Sequence, residues 1–103
     1  MDIRYETPFG VFEWNGEKNA ANIRKHGIDF RDAAAAFEDA SALFSYDGDS
    51  SDDEDRYRLT GRMEEWVIAV IVFTDRVGAV RIISARKATS NEQRTYYERS
   101  NRH

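Results

Sequence analysis

The residues of this chain best suited to chemistry are one internal histidine and a set of arginines and carboxylates. Histidine is the side chain whose ordinary pKa, about 6.5, lets it move protons at neutral pH, and His26 is the internal one. Standing just before Gly27, it can equally cap the last carbonyls of a helix and meet its dipole. Arg81 and Arg86 flank Ile82-Ile83-Ser84-Ala85, where period-two alternation sends them to opposite faces or ends of a strand. A guanidinium is a rigid fork of donors matched to phosphate, so these two are a candidate phosphate clamp, with ordinary solvated or ion-paired arginines as the alternative. Glu54 and Arg56 fall on one face by the same alternation, as an ion pair or as part of a site.

Other chemistries find no support. The chain has no cysteine, which removes thiolate metal sites and disulfides and fits a reducing compartment. It has no paired histidines at ligand spacing, no Gly-rich phosphate loop and no Gly-x-Ser-x-Gly. Asp47-Gly48-Asp49-Ser50-Ser51-Asp52 opens somewhat like a calcium loop, but its sixth position is Asp52 where glycine is wanted and its twelfth is Arg58 where a bidentate glutamate is required. A solvated acidic loop is expected there, with no metal and no cofactor.

Charge distribution qualifies what charge total suggests. A net charge of -4 argues against a nucleic-acid binder, which normally offers phosphates a positive field. Yet Asp47, Asp49, Asp52, Asp53, Glu54 and Asp55 crowd six of the 19 acids into nine residues, leaving 13 acids against 15 bases elsewhere. From Arg76 onward Arg76, Arg81, Arg86, Lys87, Arg94, Arg99 and Arg102 face only Glu92 and Glu98. The C-terminal quarter is basic.

These residues need elements to hold them, and 103 residues with 41% hydrophobic content suffice for one domain spanning 1–103. Phe9 to Trp14 suits a strand. Asn15 is an N-cap, and residues 16 to 26 form an amphipathic helix stopped by Gly27. Asp29 caps a second helix, in which Phe30, Ala33, Ala34 and Phe37 recur at helical spacing to about Glu38. Strands follow at Ala42 to Tyr46, Arg56 to Arg62, Trp66 to Thr74 and Ala79 to Ala85. The third of these is an apolar run placed centrally, and a hairpin at Asp75-Arg76-Val77-Gly78 follows it. Thr89 and Glu92 have the spacing of a capping box, which predicts a last helix from Ser90 to about Arg99. The order is β-α-α-β-β-β-β-α: an α+β domain with a mainly antiparallel sheet of four to five strands, two N-terminal helices and one C-terminal helix. Met1 to Gly10 lack a basic stretch followed by an apolar run, so no signal peptide is read and a cytoplasmic location is expected.

The ordered string carries more than its parts. Phe12-Glu13-Trp14, then Lys18 and Asn22, then Lys25-His26-Gly27-Ile28-Asp29-Phe30 with Ala33 and Phe37, resembles the opening of the BrnT toxin family. So do Glu54, Arg56-Tyr57 and Gly61, and Arg81-Ile82-Ile83-Ser84-Ala85-Arg86-Lys87-Ala88 with Glu92 and Arg94, for a match over about residues 12–98. The resemblance implies a RelE-like fold and an endoribonuclease that arrests growth. It also implies a BrnA-type ribbon-helix-helix antitoxin that neutralises the toxin and touches operator DNA. On chemistry and position together, His26 or Glu54 is the expected base or acid and Arg81 and Arg86 the phosphate clamp, with Lys18, Arg56, Arg94 and Arg99 binding RNA. The alternative class is a non-catalytic interaction module or DNA-binding co-repressor.

Overall fold

The computed structural model describes residues 1–49 and 54–100; the acidic stretch 50–53, where the calcium-like motif continues, lies outside the described residues. Strands β1 (Asp2–Thr7) and β2 (Gly10–Asn15) lead into helix α1 (Gly16–His26). Asn15 caps α1 by accepting from the Lys18 amide at 3.0 Å, and Gly27, at φ 72°, ends it in the left-handed conformation that favours glycine. Asp29 caps the next element as expected. That element is not one helix to Glu38, however, but a four-residue helix α2 (Phe30–Ala33) followed by a 3₁₀ segment, Ala34–Glu38. The alanines sit flat against the sheet, and the tighter winding keeps both Ala36 and Phe37 turned toward it.

Four strands then run as a meander: β3 (Leu43–Asp49), β4 (Asp55–Glu64), β5 (Val67–Arg76) and β6 (Ala79–Lys87), followed by helix α3 (Ser90–Ser100). The sheet has six strands in the order β1-β2-β6-β5-β4-β3, and β2 pairs with β6 in parallel. This corrects the expected mainly antiparallel sheet of four to five strands in two ways. β1 is an extra strand, in which Ile3, Tyr5 and Thr7 are half-buried and Asp2, Arg4 and Glu6 exposed. The parallel pair arises because α1 and α2 carry the chain across to the far edge, from which the meander walks back to β2.

Trp66 is a further correction. It was expected at the head of the central strand, but it lies in the β4–β5 turn and is 83% exposed. The apolar run spends its first residue on the turn, and the buried strand begins at Val67.

One face of the sheet carries the main core. Phe12, Trp14, Leu59, Ile71, Phe73 and Ile82 pack beneath Phe30, Ala33, Ala34 and Ala36. On the opposite face Ile68 and Val70 meet Ala88 and Tyr96, so α3 covers one end and leaves the rest open. Helix α1 lies along β6, where β2 no longer pairs. There the Asn22 amide stands in for a strand: it accepts from Ala85 N–H at 3.1 Å and donates to the carbonyls of Ala85 and Ile28 at 2.9 Å each. Among the described residues no helix is long and apolar enough to cross a membrane.

Candidate active site

The open face of the sheet is an arginine face. Opposite residues of paired strands share a face, and the pairings Arg58↔Val72, Thr74↔Arg81 and Val70↔Arg86 put Arg56, Arg58, Arg76, Arg81 and Arg86 together on the side away from the main core. Simple alternation sends Arg81 and Arg86 to opposite faces. It fails because Val72 pairs with Ser84 while Phe73 pairs with Ile82, leaving Ile83 as an extra residue in β6. Such a bulge resets the alternation, and both guanidinium groups emerge on the same side.

Four of these five arginines have a carboxylate close by. Arg81, with a side chain only 14% exposed, donates to Glu13 at 2.7 Å and to both oxygens of Asp2 at 3.1 and 3.2 Å. Its hydrogen bond to Asp2 comes first among the causes that hold it above the ordinary arginine value, and the same contact lowers Asp2. Arg76 holds both oxygens of Glu54, at 2.7 and 3.0 Å, and reaches Glu13 at 3.7 Å. Arg58 donates to Asp47. Arg86 grips Glu92 through two bonds of 2.7 and 2.9 Å. The Nε atoms of Arg56 and Arg58 are buried without a hydrogen-bond partner, two donors on this face that the protein itself leaves unused.

Glu92 also closes the expected capping box, accepting from Thr89 N–H at 2.8 Å while Thr89 Oγ1 accepts from Glu92 N–H at 3.2 Å. The Arg86 hydrogen bonds, followed by those of Thr89, hold its carboxyl at about 2, against an ordinary 4.5. A carboxylate lowered in the fold stabilises it above the unfolded pKa, and that stability is lost as pH falls toward the folded value. With side chains 35% and 26% exposed, solvent screening cuts the contribution to about 1–2 kcal/mol. Wild type should therefore be more stable than Glu92→Gln at pH 6 by that amount. The advantage should fade between pH 4.5 and 2, as read from denaturant melts of both proteins. An advantage that is constant across this range would mean the Arg86–Glu92 pair contributes nothing.

The sequence-derived candidates divide in space. Glu54, Arg56, Arg81 and Arg86 share the arginine face. Glu54 pairs with Arg76 rather than with its sequence neighbour Arg56. Lys18 and His26 ride on α1, and among the described residues no hydrogen bond or ion pair links the His26 ring to the arginines. Arg94 and Arg99 project from α3, which flanks the face. Sequence reasoning passed over Glu13, Arg58 and Arg76. The first was legible, because Phe12 and Trp14 point into the core and alternation turns Glu13 the other way. Arg76 was assigned to a hairpin turn, although it extends β5. Among the described residues no group of three or more His, Cys, Asp or Glu is arranged to hold a metal ion.

Fold and face together define a small α+β protein with an open sheet face lined by arginines, most of them held by carboxylates. The model of the family described as "Ribonuclease toxin, BrnT, of type II toxin-antitoxin system" matches residues 14–92. The crystal structure of the Brucella abortus ribonuclease toxin BrnT superposes with a TM-score of 0.58 at 30% sequence identity, over 75% of this chain and 94% of that one. Among curated proteins, none matches the chain. The chain belongs to the BrnT family of ribonuclease toxins of type II toxin-antitoxin systems. The matched segment contains Lys18, His26, Glu54, Arg56, Arg81 and Arg86, whereas β1 and its Asp2 precede it and Arg94 and Arg99 follow it.

Proposed function

We propose that this chain is an endoribonuclease toxin that cleaves single-stranded RNA without a metal ion, by attack of the ribose 2′-OH on the adjacent phosphate. The observation that carries this reading is the row of arginines on one open sheet face of a BrnT-family fold. The hydroxyl proton passes to a base, negative charge grows on the phosphate oxygens, and the departing 5′ oxygen takes a proton from an acid. Arg81 and Arg86 hold the phosphate, Lys18, Arg56, Arg94 and Arg99 hold the strand to either side, and His26 or Glu54 moves the proton. Both oxygens of Glu54 are engaged by Arg76, so Glu54 acts as a base only after loosening that fork. Glu13, between Arg81 and Arg76, is a further carboxylate within reach of the same site.

In this reading the fold is RelE-like, and the partner is a BrnA-type ribbon-helix-helix antitoxin that mediates contact with operator DNA. An acidic or amphipathic antitoxin segment laid across Arg81, Arg86, Arg94 and Arg99 would silence the toxin by covering the face that RNA needs. Two measurements test the enzyme. Induced expression of the chain alone should arrest growth, and purified chain should cleave RNA undiminished in excess EDTA. Activity that vanishes with EDTA and returns with magnesium would exclude metal-independent chemistry. Intact growth and intact RNA would favour a binding module.

A further inference from the structure

Beside the arginine face, between α3 and strands β3 and β4, lies an open groove of about 320 Å³. That is within the range of small-ligand sites, roughly 300–1,000 Å³. Its lining mixes apolar surface with polar side chains: Ser45, Arg58 and Thr60 from the strands, and Asn91, Thr95 and Arg99 at four-residue spacing along one side of α3. Among the described residues, the side chains of Ser45, Thr60, Asn91, Thr95 and Arg99 make no hydrogen bond or ion pair. Arg58 is held by Asp47 but keeps its Nε unpaired. Leu43 supplies apolar floor, while Phe44 at the rim turns its ring to the other face of the sheet, where it meets Phe73. The groove adjoins the proposed site without a break, because Glu92 both borders it and holds Arg86.

We propose that this groove is a subsite for one unpaired nucleotide of the RNA strand, next to the phosphate gripped by Arg81 and Arg86. The proposal rests on the ribonuclease reading above and adds to it the place where base identity is read. Sequence-specific recognition of RNA targets unstacked bases, which stack on aromatic rings and form hydrogen bonds along their edges. The groove offers hydrogen-bonding groups together with an apolar surface, Leu43, for a base to lie against. Asn91 provides an amide with both donor and acceptor, and Ser45, Thr60 and Thr95 hydroxyls that turn either way. Arg99 provides a cation, with no acid beside it among the described residues, for the flanking phosphate. An apolar anchor seated here would instead desolvate the amide of Asn91 and the hydroxyls of Ser45, Thr60 and Thr95 without giving them partners.

The test uses the purified full chain and a short single-stranded oligonucleotide of mixed sequence carrying 2′-O-methyl riboses, which binds but cannot supply the attacking hydroxyl. Anisotropy titrations at several salt concentrations compare wild type with Arg99→Gln and Asn91→Ala, each checked for an unchanged melting temperature. Arg99→Gln should weaken binding about 10-fold and reduce the salt slope by about one, as the loss of one phosphate contact does. Asn91→Ala should weaken it roughly 10-fold without altering the slope. In cleavage mapping on unmodified RNA, Asn91→Ala should broaden the base preference beside the cut. Wild-type binding and cut sites in both variants would overturn the subsite while leaving the ribonuclease reading standing. Oligonucleotide binding that depends on the groove, in a chain that cleaves no RNA, would uphold the subsite and sink the ribonuclease reading. Variants that lose only an acidic antitoxin peptide, with RNA binding intact, would make the groove a protein-docking site and overturn the proposal.

Discussion

Arg81→Ala and Arg86→Ala should each lower RNA cleavage about 10²- to 10³-fold, the usual cost of removing one oriented donor from a developing charge. The two positions test different surroundings. Arg81 is drawn in between Asp2 and Glu13, so its removal leaves two carboxylates facing each other with only Arg76, 3.7 Å from Glu13, to relieve them. Some stability is lost with it, on the order of 1–3 kcal/mol. Arg86 anchors Glu92, but the capping box with Thr89 survives its removal and α3 should persist. Loss of activity must therefore be read well below the melting temperature of each variant. Arg81→Lys sharpens the test, because lysine keeps the charge and loses the fork. If the fork matters, this variant should recover only a small part of the lost rate. Full cleavage in both alanine variants would remove the pair from the site.

The same contacts explain how an acidic protein carries a cationic face. Several acids that bring the net charge to -4 are partners of these arginines: Asp2 and Glu13 on Arg81, Glu54 on Arg76, Asp47 on Arg58, Glu92 on Arg86. They fix the guanidinium groups in place and offset their charge until an anion competes. The offset is uneven. Around Arg56, Arg76 and Arg81 three carboxylates match three arginines, whereas toward α3 Arg58, Arg86 and Arg99 meet only Asp47 and Glu92 among the described residues. RNA would then be attracted first to the α3 side and settle onto Arg81 by displacing Asp2, the most exposed of its partners at 62%.

Much of the fold was legible because its signals are local. Asn15, Gly27, Asp29 and the Thr89–Glu92 box set helix ends through side-chain-to-backbone bonds that depend on a few adjacent residues. The strands of the meander follow from alternation and the apolar run. What was not legible is what depends on distant partners. β1 has a weak alternating pattern that acquires meaning only beside β2. Whether β2 lies against β6 is decided by where two helices carry the chain. The site divided in the same way. Arg81 and Arg86 were found by type and spacing, but their common face depends on the Ile83 bulge, which no local signal announces.

Asn22→Ala should be among the most damaging single substitutions in the chain, costing about 3–5 kcal/mol out of the roughly 5–15 available to a small domain. In sequence Asn22 is one polar residue on an amphipathic helix. In the structure it is 7% exposed and occupies the place of a missing strand beside β6. Its amide satisfies the N–H and C=O of Ala85 and the carbonyl of Ile28. Alanine leaves three buried backbone groups without partners. Aspartate is worse, since it can still accept from Ala85 N–H but turns a second oxygen, carrying charge, toward two carbonyls. Leucine conserves approximate volume and makes none of the bonds, so a small cost for Asn22→Leu would show that packing matters rather than pairing. The melting temperature of Asn22→Ala should fall by on the order of 15 °C, and the Ala85 amide should exchange its hydrogen faster than the neighbouring β5 amides. A drop of only a few degrees would mean that α1 does not hold this edge. The consequence reaches the site through one peptide bond: Ala85 is followed by Arg86, so the pairing that fixes β6 also fixes the direction of the Arg86 guanidinium. At temperatures where Asn22→Ala remains folded, its cleavage rate should still be depressed, because a clamp on a loosened strand no longer meets the phosphate in one geometry.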